Sequence, residues 1–392
     1  MTSIFIAISI FFTILFFIHW IFYCFLLSVF QVKKRKIKII ISLILIFLSL
    51  GFLISLSLGY LLGSRVSDIL YIISGLWYGF LINSLMFIPV YAVVVLLARF
   101  YKKIISNLFF GELIILITLI YSGWGVYNAL FPEIKNITVE IENLPIEWEN
   151  KTIIQLSDVH LGRELGVDFI NRVIGKVNEI KPEAVMITGD LFDGMDGHFS
   201  EFFEPLNNIQ AEKGTYYVTG NHEIYLGVEE IITRLKQTRV NVLDDRVVDV
   251  DGLQIIGVDY PNFSEKKDIK KIIESDPNFV LNKPSILLYH SPTNIFSDSN
   301  GEMSGHSMYL SPDMDFAPAR ELGIDLQLSG HTHKGQLFPF NFLTSFIYGG
   351  YDYGLHSKDG FNIYISSGVG VWGPMMRTSA RSEIVAITLK NK

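Results

Sequence analysis

Seven side chains able to donate oxygen or nitrogen to a cation are spread over five short clusters in the C-terminal two-thirds of the chain. The clusters are Asp158-Val-His160, Gly189-Asp190, Gly220-Asn-His-Glu223, His290 and Gly330-His-Thr-His333. Each joins candidate ligands to small turn residues or follows a β-rich apolar run. Asp158 and His160 are two residues apart, so on leaving a strand they can face the same side. Asp190 follows a glycine that lets the backbone turn sharply, and its carboxylate suits the bridging of two cations. Asn221 offers an amide oxygen, and His290, His331 and His333 offer imidazole nitrogens. This nitrogen and oxygen set, lacking sulfur, suits Mn, Fe, Zn or Co rather than Ca or a thiolate-bound structural zinc. A single histidine of this kind is as often a core or surface residue. Five clusters in this order read as a site for a pair of divalent metal ions. Two such cations lower the pKa of a bridging water and neutralise charge developing on a bound anion.

The elements that must position these residues alternate along the chain. Residues 151–157 read as a buried strand and Val167–Ile180 as a helix, with Val167, Ile170, Val173, Ile174, Val177 and Ile180 on one stripe. Ala184–Thr188 is a second strand, 201–209 a short helix, 214–219 a third strand and 228–237 a further helix. Arg246–Val250 and Leu253–Val258 form a hairpin pattern that turns at Asp251-Gly252, a favoured turn pair. Ser285–Tyr289, Leu326–Ser329, 362–366 and 383–389 are again β. Such alternation followed by β segments predicts a layered α/β sandwich. Ligands in such sheets gather at the carboxyl ends of strands, and every cluster falls at one.

The succession Asp158-x-His160, Gly189-Asp190, Gly220-Asn221-His222-Glu223, His290, Gly330-His331-x-His333 resembles the calcineurin-like metallophosphoesterase superfamily over roughly residues 150–390. The resemblance implies an αββα sandwich. It implies one metal held by Asp158, His160, Asp190 and His333, and a second by Asp190, Asn221, His290 and His331, with Asp190 shared. It also implies hydrolysis of a phosphoester by a hydroxide activated between the metals. His222, beside Asn221 but outside the ligand set, is then the candidate to stabilise the transition state or protonate the leaving oxygen. Glu223 stands where many members carry Asp. The text around 329–336, 368–377 and Glu383 further resembles the membrane-linked branch, which includes transmembrane proteins with a metallophosphoesterase domain and enzymes acting on UDP-diacylglucosamine. Arg163 and Lys334, beside ligand motifs, are read as surface charges before phosphate contacts. His198, His306 and His356 stand outside the pattern and are read as surface or insertion-loop residues.

The remainder of the chain explains a composition of 392 residues that is 50% hydrophobic and 18% charged. Four stretches, 4–30, 37–63, 69–98 and 108–130, are each long enough to cross a bilayer, which takes about 20 apolar residues. Residues 1–132 are therefore read as a transmembrane domain with four helices, 133–150 as a linker entering a first strand, and 151–392 as the metallophosphoesterase domain. The first stretch lacks the basic leader and small-residue cleavage pattern of a removed signal. Residues 1–132 carry nine Lys and Arg, eight of them in the loops after the first and third stretches. Basic loops stay cytoplasmic, so the catalytic domain is expected on the extracytoplasmic face of the plasma membrane. Residues 133–392, the linker and this domain together, hold 23 basic and 37 acidic residues, a balance of −14 that disfavours nucleic acid as a partner. Cys24, the sole cysteine, lies in the first stretch and permits no disulfide within the chain.

Polar residues inside the apolar stretches are few: His19, Asn83, Asn128 and Glu112. Such a set reads as an anchor, or as a surface that shapes access, rather than a transport path. The aromatic segment 336–353 reads as an element dipping into the membrane interface, as an apolar acyl channel, or as a loop packed on the membrane domain. The leading expectation is a membrane-anchored phosphoesterase acting on a phosphodiester or pyrophosphate, with a lipid-linked substrate preferred and membrane lipids as surroundings. The competing class is a transporter or receptor whose phosphoesterase-like domain is not catalytic. No residue pattern points to a protein partner.

Overall fold

The computed structural model describes residues 2–62, 65–102, 106–193, 199–262, 267–293 and 312–392. His198 and His306 lie outside the described residues. The described chain separates into two compact units, residues Met1–Tyr127 with Gly373–Thr378, and Asn128–Trp372 with Ser379–Lys392.

The first unit contains four helices, α1 (Thr2–Val29), α2 (Arg35–Leu62), α3 (Arg65–Phe100) and α4 (Asn107–Leu130). All four are long and apolar enough to cross a membrane. Their outward residues remain apolar: Trp20, Leu96 and Ile120 are each more than half exposed. That is the pattern of helices whose solvent is hydrocarbon. Phe22, Phe25, Leu81, Tyr91 and Ile114 form a buried core between helices. Several polar groups inside it are paired. Trp77 Nε1 donates to His19 Nε2 at 3.0 Å, and Asn83 Nδ2 donates to Ser122 Oγ at 3.0 Å and approaches Met376 Sδ at 3.1 Å. The segment Gly373–Thr378 thus packs within this unit, where the Arg377 N–H donates to Gly125 O at 2.9 Å.

The second unit is built on two six-stranded sheets. The first contains β1 (Glu133–Ile141), β2 (Thr152–Leu156), β3 (Ala184–Thr188), β4 (Thr215–Val218), β5 (Val240–Val242) and β12 (Glu383–Asn391), in the order β1-β12-β2-β3-β4-β5. The second runs β10-β11-β9-β8-β7-β6, with β6 (Arg246–Val250), β7 (Leu253–Val258), β8 (Ser285–Tyr289), β9 (Leu326–Ser329), β10 (Gly354–Lys358) and β11 (Phe361–Ile365). Within the stretch read as a linker, residues 133–141 form β1 and pair along their whole length with β12.

Alternation along the strands explains the layers. Ile153, Met186, Val218, Ile255, Ile286, Leu288 and Leu328 meet in one core between the sheets, with Trp148 fully buried among them. The alternate residues Ile256, Leu287 and Tyr289 face the other way. They pack with Ile273 of α9 (Ile269–Ser275) and Ala319 of α10 (Ala317–Glu321), which follow the short helices α6 (Phe203–Leu206), α7 (Asn221–Leu226) and α8 (Val228–Leu235) in the chain. On the first sheet's side, α5 (Val167–Ile180) buries Ile170, Val173, Ile174 and Val177, four of the six residues on its expected stripe. Strands buried on both faces, as β8 is at all five positions, are what a largely parallel sheet covered by helices requires. The layers run helix, sheet, sheet, helix. The hairpin β6–β7 turns at Asp251-Gly252 as expected, with both residues at positive φ.

Candidate metal centre

The loops that follow β2 and β3 continue to pair beyond their strands. Asp158 N–H donates to Gly189 O at 3.1 Å and His160 N–H to Asp190 O at 3.0 Å. The second sheet does the same, Gly330 N–H donating to His290 O at 2.8 Å. A buried glutamine ties the sheets together at this edge: Gln155 Nε2 donates to Thr188 Oγ1 at 3.0 Å and to Ser329 O at 2.9 Å. The five clusters therefore arrive at one place because the carboxyl ends of β2, β3, β4, β8 and β9 are held together.

Two of the glycines are required there. A Cβ on Gly330 would collide with the side chains of Asp158 and Ser157. One on Gly189, at φ 86°, would come within 2.7 Å of His290 Nδ1. The candidate ligands themselves are strained. Asp158, His160, Asp190, His331 and His333 all hold left-handed backbone, with φ between 49° and 73°. Each such residue costs on the order of 1–3 kcal/mol, and clusters of them mark sites where geometry is imposed for function.

The donors converge in two groups. Asp158 Oδ1 is 3.1 Å from His333 Nε2, which lies 3.0 Å from His160 Nε2. Asp190 Oδ2 is 3.1 Å from His290 Nε2, which lies 3.2 Å from His331 Nδ1, and Asn221 Oδ1 is 2.9 Å from that same Nδ1. Asp190 Oδ2 also lies 3.9 Å from His160 Nε2, between the groups. Both sets, Asp158–His160–His333 and Asp190–His290–His331, could hold a metal ion. The structure brings together all seven donors selected from the sequence. Imidazole nitrogens and carboxylate oxygens packed this closely present lone pairs to one another, and a cation relieves that conflict. The tautomers fit such a role. His290 Nδ1 donates to Thr188 O at 2.8 Å, so Nε2 is the nitrogen left facing Asp190 and open to a cation once deprotonated.

Charge follows geometry. Burial alone would raise the pKa of Asp158 and Asp190, but His333 beside the first and His290 beside the second hold both below the usual carboxylate range. Burial would lower His290, yet Asp190 outweighs it and the imidazole is pushed up to about 9. His331 is pushed down to about 3 by burial and by His290, and His160 falls well below its ordinary value through burial and His222.

His222 sits beside this cluster, its ring centroid 4.5 Å from that of His160. Its N–H donates to Asp190 Oδ1 at 2.8 Å and its Nδ1 meets the Asp193 carbonyl. Asp193 escaped the sequence reading. With His160 and His222 it forms a third group able to bind a cation, and its place three residues after Asp190 was the available signal. Glu223 is fully buried and accepts from the backbone N–H groups of Asp190, Leu191, Phe192 and Gly220. Lys334, read as a surface charge, lies 4.1 Å above the ring of Tyr353, and Arg163 is half-buried. His356 is also half-buried, its Nε2 3.0 Å from Tyr353 O. A neighbouring cavity of 710 Å³ lined by Thr219, Asp245, Asp259, Tyr260 and Lys267, among others, includes none of the seven donors.

The sequence profile of the calcineurin-like phosphoesterase family matches residues 151–335. The chain is 36% identical over 300 residues to an uncharacterized metallophosphoesterase of Campylobacter jejuni, covering 74% of this chain and 72% of the relative. It is 36% identical over 279 residues to an uncharacterized metallophosphoesterase of Helicobacter pylori, covering 69% of this chain and 68% of the relative. A Danio rerio protein named transmembrane protein with metallophosphoesterase domain is 29% identical over 296 residues, covering 71% of this chain and 62% of that one. The chain belongs to the calcineurin-like metallophosphoesterase family. That is a family of metal-binding hydrolases, as the order of the five motifs implied.

Proposed function

We propose that this protein is a membrane-anchored phosphoesterase that hydrolyses phosphodiester or pyrophosphate bonds with two divalent metal ions, on lipid-linked substrates. The observation that carries the reading is the convergence of seven donors from five strand ends on one strained, buried edge of the sandwich. Asp158, His160, Asp190 and His333 would hold one ion, and Asp190, Asn221, His290 and His331 the other. When bound, the ions supply a water of lowered pKa and countercharge for the phosphoryl oxygens. The chain's own residues do the rest. Glu223 fixes the turn that presents Asp190. His222 is held by Asp193 and Asp190, whose charges raise its pKa against the effect of burial. It anchors through Nδ1 on the Asp193 carbonyl, and in its imidazolium form it can hand a proton to the leaving oxygen.

The lipid-linked preference rests on the four apolar helices ahead of the domain and on the aromatic segment after His333. Within this proposal residues 1–132 anchor the chain and 151–392 carry the chemistry outside the cytoplasm. Purified protein assayed on bis-p-nitrophenyl phosphate is expected to turn over with Mn²⁺ and to stop with chelator. Metal-independent turnover, or none with any of Mn, Fe, Zn and Co, would sink the enzyme reading. Incubation with a membrane lipid extract should release water-soluble phosphates detectable by mass spectrometry, and release only from soluble phosphoesters would overturn the lipid proposal. Protease added to intact cells should reach the domain, and protection would reverse the orientation.

A further inference from the structure

The last helix of the second unit, α11 (Phe340–Ile347), is turned inside out for a surface in water. None of its residues is buried, and Phe342, Leu343 and Phe346 are 65%, 54% and 84% exposed. Spaced three and four apart, Leu343 and Phe342 share a face with Phe346. Phe340, 43% exposed, extends the patch, and three phenylalanines at these exposures present an apolar area on the order of a few hundred Å². Thr344 of the helix turns inward, its Oγ1 donating to Asp352 Oδ2 at 3.2 Å. Asp352 is buried and its carbonyl accepts from Thr332 Oγ1 at 2.6 Å, beside His331 and His333. At its start α11 lies against Gly335, where a Cβ would meet Asn341 N at 2.5 Å. The apolar face is therefore displayed by a helix fastened directly to the histidine loop of the metal centre.

The connectivity of the chain points to lipid as the occupant of that face. Two residues separate the apolar helix α4 from β1, a reach of about 7 Å per extended pair. Gln336, four residues before α11, bonds Trp372 on both sides, its Nε2 donating to Trp372 O at 2.8 Å and its Oε1 accepting the Trp372 N–H at 3.2 Å. Trp372 is itself half exposed, and the next residue begins Gly373–Thr378, which groups with the four apolar helices. An exposed aromatic and aliphatic face, tethered within a few residues of bilayer-crossing segments, has the composition of an element lying in the headgroup and acyl boundary.

We infer that α11 inserts its Phe342, Leu343 and Phe346 face into the lipid interface, so that the metal centre opens at the membrane surface and draws its substrate from the bilayer. This rests on the proposed phosphoesterase function for the word substrate only; the lipid contact stands or falls separately.

The test uses the full chain in lipid nanodiscs, with Cys24→Ser and a nitroxide at Phe346→Cys or, in a second sample, Phe342→Cys. Collision rates with oxygen, which concentrates in lipid, are compared with those of a water-soluble nickel chelate. Asp251→Cys, at a hairpin turn with an exposed side chain, serves as the aqueous control. The expected result is high oxygen and low nickel accessibility at 342 and 346, with the reverse at 251. Nickel accessibility at 342 and 346 equal to that at 251 would overturn the inference by placing the helix in water. Low accessibility to both reagents would overturn it by showing that protein, a second copy or another part of this chain, covers the face. Because the readout needs no turnover, loss of the phosphoesterase reading would leave it unaffected.

Discussion

Glu223 grips the backbone of Asp190, its Oε2 accepting the Asp190 N–H at 3.0 Å and the Gly220 N–H at 2.7 Å while Oε1 accepts from Leu191 and Phe192. One carboxylate thus spans the two turns that carry Asp190 and Asn221. Glu223→Gln turns an amide NH₂ toward backbone donors, which should lower stability by about 2 kcal/mol. Because the candidate ligands shift with the turn, metal affinity or turnover should fall roughly 10–100-fold. Glu223→Asp keeps the charge and should lose less. Normal melting, metal content and turnover in Glu223→Gln would show that the turn holds without this carboxylate.

His222 should be separable from the metals. His222→Ala is expected to retain both ions and lose on the order of 10²–10⁴ in kcat, the usual worth of a positioned acid. The loss should be smaller for a p-nitrophenyl leaving group, which departs without a proton, than for an alkyl one. Equal losses on both would assign His222 to transition-state charge rather than to proton delivery.

A proton on His290 should be exchanged for metal. Its pKa, pushed up to about 9 by Asp190 against burial, lies above the unfolded value of 6.5. A raised histidine stabilises the metal-free fold fully below about pH 6.5, and that contribution is lost as pH climbs through 9. The shift corresponds to about 3 kcal/mol. Metal-free protein should therefore lose melting temperature between pH 6.5 and 9. Calorimetric titration with Mn²⁺ at pH 7.5 should show heats that vary with buffer ionisation enthalpy. Buffer-independent heats would contradict proton release.

Gln336 joins the histidine loop to both ends of the Gly373–Thr378 excursion, through Trp372 and through its carbonyl, which accepts the Ser379 N–H at 3.2 Å. Gln336→Ala removes the side-chain pair and should cost about 1–3 kcal/mol in stability. Turnover should drop with it, because His333 is three residues away on the same short loop. A variant that melts early yet works at the wild-type rate would confine Gln336 to a structural part.

Much of this was legible because the site sits where local pattern and chemistry coincide. Val167–Ile180, Ala184–Thr188, Ser285–Tyr289 and Leu326–Ser329 have strong periodicity or continuous apolar runs bounded by turn residues, and the structure places elements at those bounds. Other elements depend on distant partners. Residues 354–358 contain Gly, His, Ser and Lys, and become β10 only by pairing with β11. Residues 340–347 were legible as apolar but not as a helix, since Phe, Thr and Ile favour strands when nothing else decides. Asp193 gave no motif of its own, and its part emerges only when the turn after β3 meets His222. Glu223 was visible, but its four backbone partners come from two turns that sequence spacing does not bring together.

The order of the first sheet has a consequence for biosynthesis. Among the described residues β1 has β12 as its one neighbour in the sheet, while β2 also borders β12, so the strand ending at Asn391 bridges the one that begins at Glu133 to the rest of the sheet. While the intervening chain is being made, two strand edges wait unpaired, an interval in which nascent domains stick to one another. A chain released before β12 is made keeps those two edges open, a state prone to aggregation and proteolysis.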